Sequence, residues 1–243
     1  MIRKDALGKY LLYAIGEILI VTLGIFIAIQ LDNWNDDEQT EATIETIFEE
    51  IQANLENSNN RLEQIIEWYA ERDSLINLVK TGALTYEDYQ NNDDLLTLIN
   101  FYASATLDKS GYLKLQDYLG VTDPKYDTII LKLNILYDQL LPINERYELV
   151  MEAFNHRMHE RWAQKYSWFS EPRDVVHKEE RIQHFLTSPE YQNDVRLFSM
   201  YSRDNYAATL RGIDNISDSI MEDFEVLNAQ ESPKHLLIDF LGF

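Results

Sequence analysis

The feature that most constrains this chain is a run of 21 residues, Leu11–Leu31, reading LLYAIGEILIVTLGIFIAIQL. Thirteen of them are Leu, Ile, Val or Phe, and only Glu17 is charged. A helix of this length rises about 30 Å, the thickness of a bilayer core. Each of those apolar residues favours insertion by up to roughly 0.3–0.6 kcal/mol, against a cost of about 3 kcal/mol for a central charge, so insertion wins. The apolar run is too long for a cleaved signal peptide, and its end carries no small-residue cleavage pattern. The expectation is an uncleaved single-pass anchor in the lipid bilayer. Arg3, Lys4 and Lys9 precede the run, and no Lys or Arg follows until Arg61. That asymmetry predicts a cytoplasmic N-terminus (1–10), a membrane helix (11–31) and an extracytoplasmic body (32–243).

Glu17 is the most informative residue of the run. A carboxylate at membrane depth is costly and is usually turned toward protein or water. Ala14, Glu17, Val21, Gly24 and Ala28 recur at steps of 3 and 4, forming a small, partly polar stripe. Gly24 and Ala28 make a small-xxx-small pair that lets two helices approach closely. Glu17 thus reads as a protonated or snorkelling side chain, as a group at a helix–helix contact, or as part of an ion path.

Lys9–Asn35, KYLLYAIGEILIVTLGIFIAIQLDNWN, resembles the N-terminal signature of an uncharacterised family of Bacteroidota membrane proteins. The residues that carry the resemblance are Tyr10, Leu11, Tyr13, Gly16, Glu17, Gly24, Ala28, Gln30, Asn33, Trp34 and Asn35. Beyond them the likeness is looser and rests on Leu107–Gly120, LDKSGYLKLQDYLG. The resemblance implies an anchor in a Gram-negative inner membrane, a periplasmic helical domain and no known activity. It also implies that Glu17 belongs to a signature.

The rest of the chain reads as all-α. Gly (8) and Pro (5) are scarce, which disfavours folds built on many turns. Ile44, Phe48, Ile51, Leu55, Ser58, Leu62, Ile65, Tyr69, Arg72, Ile76 and Val79 alternate steps of 4 and 3, a sustained heptad seam. Ile47, Ile66, Trp68 and Leu75 widen it toward a bundle helix. Ser58 and Arg72 are its polar interruptions. Ser58 can bond a carbonyl one turn back, and Arg72 can bury its stem while its head reaches water. The seam and the membrane stripe are out of phase, which predicts a kink, twist or break near 33–43. Short helices are expected near 92–104 and 112–118, with a turn at Asp108–Gly111. A longer one runs from Tyr126 to Trp168, kinked or split at Pro142. Glu171-Pro172 marks a loop. Ser188-Pro189 opens a helix to about Asn228, and Ser232-Pro233 opens a last short one.

The net charge of −21 lies wholly in the body. It makes nucleic acid a poor partner. The absence of cysteine excludes disulfides and thiol chemistry. His156 and His159 sit three apart, without the local pattern or third ligand of a helical zinc site. Trp162, Tyr166, Trp168 and Phe169 read as core or, less readily, as the wall of a ligand pocket. No metal, cofactor or catalytic group is expected. The reading is an assembly module, joined to copies of itself or to another membrane protein. The rivals are a periplasmic sensor or ligand-binding subunit and an oligomeric channel with Glu17 in the pore.

Overall fold

The computed structural model describes residues 4–170 and 175–241, with side chains for 13–169 and 177–230. The described residues are all-α, with no strand among them. One helix, α1 (Lys4–Thr81), runs without interruption for 78 residues, about 117 Å at the helical rise. It ends at Gly82, whose φ of 66° is the left-handed conformation that closes a helix cheaply only with glycine. Of the kink, twist or break expected near 33–43, the break is absent. No glycine or proline falls there, and Thr43 and Thr46 bond back to the carbonyls of Gln39 and Ala42 without interrupting the ladder. The change of phase between stripe and seam is therefore carried along one uninterrupted helix.

All nine apolar seam residues are buried, and Ile47 with them. Their cover comes from this chain itself. Helix α1 packs against α4 (Ser110–Leu115), α9 (Pro189–Ser199) and α10 (Ala207–Leu241). Phe48 stacks on Tyr126 at 4.0 Å and meets Phe224 edge-on. Gly111 of α4 lies so close to α1 that a Cβ there would stand 2.8 Å from Ile51 Cγ1 and 3.2 Å from its backbone nitrogen. Only a glycine lets the two helices meet at that point.

Two long helical stretches close the bundle, and each carries a π-type segment. The first joins α5 (Asp127–Asn134) to α6 (Leu141–Lys165) through Ile135–Leu140. Here the N–H of Leu141 reaches back five residues to Leu136. Pro142 therefore does not split the element. The extra residue in the turn just before it absorbs the missing donor and the ring. The second joins α9 to α10 through Met200–Tyr206, where Ala207 bonds to Ser202. The Ser188 hydroxyl caps α9 by accepting from the N–H of Tyr191. Helix α10 continues past Ser232-Pro233 to Leu241 rather than starting afresh. The packing of Leu236 and its neighbours lies outside the described side chains, and the Glu171-Pro172 loop outside the described residues.

The segment after α1 also departs from expectation. Helices α2 (Tyr86–Asn91) and α3 (Asp93–Leu96) are short, and residues 101–109 have no regular structure where a helix to Ser104 was expected. This strap is held by tyrosine hydroxyls from distant helices. Tyr69 donates to the carbonyl of Ala103 (2.8 Å) and accepts from its N–H (3.1 Å). Tyr206 accepts from the N–H of Ala105 (3.0 Å), and Tyr137 donates to the carbonyl of Asp108 (3.0 Å). The Ser104 hydroxyl donates to Glu148. Tyr137 and Tyr206 both lie in the π segments.

Candidate functional site

Tyr13 to Gln39 of α1 are exposed, save half-buried Gly16, and Asp37, Thr40 and Glu41 border a pocket shared with Val121–Pro124 and Tyr126. Ala14, Glu17, Gly24 and Ala28 are all exposed, and nothing lies within 4 Å of a Cβ built on Gly24. The stripe is thus intact as a helix face and has no partner within the described residues. Trp34 is exposed as well. Among the described residues, one helix is long and apolar enough to cross a membrane, and its apolar window is wholly unburied. Between that window and the body lies a neck, Asp32–Thr43, with five acids and no base.

The two polar seam residues behave as local structure. The Ser58 hydroxyl donates to the carbonyl of Asn54 at 2.7 Å. The Arg72 guanidinium lies 3.7 Å over the ring of Trp68, and burial pulls its pKa below the ordinary arginine value.

The richest chemistry lies at the end of the body near Thr81, where α2, α6, α7 (Ser167–Ser170), α8 (Val175–Thr187) and α9 meet. Trp162 is fully buried at its centre. Around it stand Trp168, Phe169, His184, Phe185 and Tyr191, with ring centroids 5.7–6.1 Å away. Its indole N–H donates to Asp194 at 3.2 Å. Arg161 Nη2 lies 2.6 Å from both oxygens of Asp194, and Arg161 also pairs with Glu190. Glu190 further accepts from Lys165 and Tyr166. Burial raises the pKa of Asp194, with Arg161 and Trp162 pulling the other way. Asp194, Arg161 and Glu190 carry no signal in the sequence beyond being charged residues in a highly charged chain.

Of the histidine pair, His156 is exposed and lies 3.3 Å from Glu160. His159 is half-buried, its ring 5.3 Å from that of Phe169. It lines a pocket of about 120 Å³ with Asn100, Phe101, Trp168, Phe169 and Arg181. That pocket adjoins an open groove of about 770 Å³, which also holds Asn100, Phe101, His159 and, beyond them, Tyr102, Glu152 and His156. Trp168 and Phe169 are therefore pocket walls, whereas Trp162 is core. No three His, Asp or Glu side chains gather as a metal would require among the described residues.

Burial lowers the pKa of both His159 and His184. His184 is packed among Tyr166, Trp168 and Phe185, and its buried Nε2 has no hydrogen-bond partner. Native imidazoles with depressed pKa stay neutral while unfolded ones protonate near 6.5. The unfolded state then binds more protons, so stability is full above about pH 6.5 and falls as pH drops below it. Urea midpoints should decline from pH 7.5 to 5.5, and His184→Phe should flatten that slope. A flat wild-type profile would contradict the burial argument.

Residues 17–113 match the model of a protein family. That family is DUF6090, a family of unknown function. The DUF6090 match takes in most of the apolar window, the neck, the seam, the strap and the start of α4. No curated protein and no solved structure matches the chain.

Proposed function

We propose that the chain is a membrane-anchored helical assembly module. Leu11–Leu31 spans a bacterial inner membrane, the short N-terminus faces the cytoplasm, and the acidic body stands in the periplasm. The observation that carries this reading is α1, whose bare apolar third continues into the spine of the folded body. The basic residues before the run and their absence until Arg61 support the orientation. Self-association is assigned to the stripe of Ala14, Glu17, Gly24 and Ala28. The seam cannot serve, because the chain's own helices cover it. A carboxylate in hydrocarbon gains most from a partner that satisfies it.

A second reading is favoured by the same helix. An unbroken rod from bilayer to bundle suits a sensor subunit that passes motion to a partner in the membrane.

The test is the mass and composition of the full-length protein extracted gently from its native membrane, beside Glu17→Leu. A homo-oligomer that becomes a monomer in the variant supports assembly through the stripe. A monomer in both samples defeats self-association. A complex with a different membrane protein moves the weight to the sensor reading.

A further inference from the structure

We infer that residues 236–241, at the foot of α10, dip into the periplasmic leaflet of the bilayer and give the body a second hold on it. This second hold presupposes the anchor at residues 11–31 proposed above.

Helix α10 runs toward the membrane. Ser217 donates to the side-chain oxygen of Asn59 at 2.7 Å. Further along, Phe224 meets Phe48 with ring centroids 6.0 Å apart, and Leu227 and Asn228 line a pocket with Glu45 and Glu49. Each step along α10 meets a residue earlier in α1. The two helices are therefore antiparallel, and α10 descends toward the acidic neck.

It is also long enough. Fourteen residues of helix separate Glu45 from Leu31, where the apolar run ends, a height of about 21 Å. Helix α10 continues for thirteen residues beyond Asn228, about 20 Å. An extended chain of the same length would reach further still. Residues 236–241 thus come within reach of the headgroups and upper acyl chains. The base of the body approaches the same plane, since exposed Val121 lines a pocket with Asp37, about 9 Å above Leu31.

The composition of the segment suits lipid. Five of the six residues 236–241 are Leu, Ile or Phe, and Asp239 is the one charge. Lys234, just before them, suits lipid phosphates. The stretch of α1 at that height offers them no apolar face. Residues 32–39 are exposed, four of them are acids, and Trp34 is the one large apolar side chain. Acyl chains are the apolar phase at that level, and a helix end lying in the interface buries its apolar residues there. Two attachments to one bilayer then restrict the tilt of the body.

The chain has no cysteine, so an introduced one carries a single probe. Full-length protein is reconstituted into vesicles of phosphatidylethanolamine and phosphatidylglycerol that contain a nitroxide-bearing tracer lipid. An environment-sensitive dye is placed by Phe240→Cys, Leu237→Cys, Val226→Cys or Ile25→Cys. Val226 is exposed on the part of α10 that belongs to the body. The dye at 240 and at 237 should emit to the blue of that at 226 and be quenched by the nitroxide at least about threefold more strongly. The dye at 25 reports the anchor itself. Quenching at 25, with 240 and 237 no more quenched than 226, overturns the inference and leaves the anchor standing. Blue-shifted but unquenched emission at 240 and 237 also overturns it, because protein then covers the segment. Absence of quenching at 25 removes the anchor, and the second hold with it.

Discussion

Trp162→Ala is expected to destabilise the body by about 4 kcal/mol. The indole is fully buried and is ringed by Trp168, Phe169, His184, Phe185 and Tyr191. Its removal leaves a cavity that five rigid rings on three helices cannot collapse to fill. It also withdraws the N–H that helps hold the buried carboxylate of Asp194. For a body of this size each kcal/mol shifts the melting temperature by about 2–4 °C, so the midpoint should fall by roughly 8–16 °C. Thermal unfolding followed by far-UV circular dichroism measures it. A loss under about 1 kcal/mol would mean that the aromatic cluster is loosely packed and not the core described above.

Tyr69→Phe is expected to cost about 2–3 kcal/mol without changing any packed volume. One hydroxyl serves both the N–H and the carbonyl of Ala103, and the variant leaves both groups without it in a part-buried setting. The damage should be local. Amide exchange in residues 101–109 should accelerate more than in α6 or α10, because the strap has no ladder of its own to fall back on. Uniform acceleration across the body would instead show that Tyr69 acts only through global stability.

The seam is legible in the amino-acid sequence because its spacing is that of a helix face, and every apolar position in it is buried. Ser188-Pro189 is legible as a cap for a similarly local reason. Features set by distant partners are not. Residues 101–104 look helical by composition, but the backbone of Ala103 is held by the hydroxyl of Tyr69, and that of the neighbouring Ala105 by the hydroxyl of Tyr206, both far along the chain. Pro142 announces a disturbance but not its form, and Met200–Tyr206 contains neither glycine nor proline to announce one at all. In the sequence Arg181 is one more charged residue of a highly charged chain. Only the meeting of α7 and α8 with the turn at Asn100 buries it in an aromatic wall. The break expected at 33–43 follows from two faces out of phase, yet a single helix accommodates two such faces without any break.

That unbroken neck ties the compass bearing of the body to the residue count below it. Each residue in an α-helix adds about 1.5 Å of height and about 100° of turn. One alanine inserted between Glu38 and Gln39 would swing the whole bundle about a third of a revolution relative to the Glu17 stripe, whereas seven would return it to within about 20°. Two copies joined at the stripe would therefore present their bodies at a fixed azimuth, with the acidic neck acting as the index pin of a rotary joint rather than as a tether.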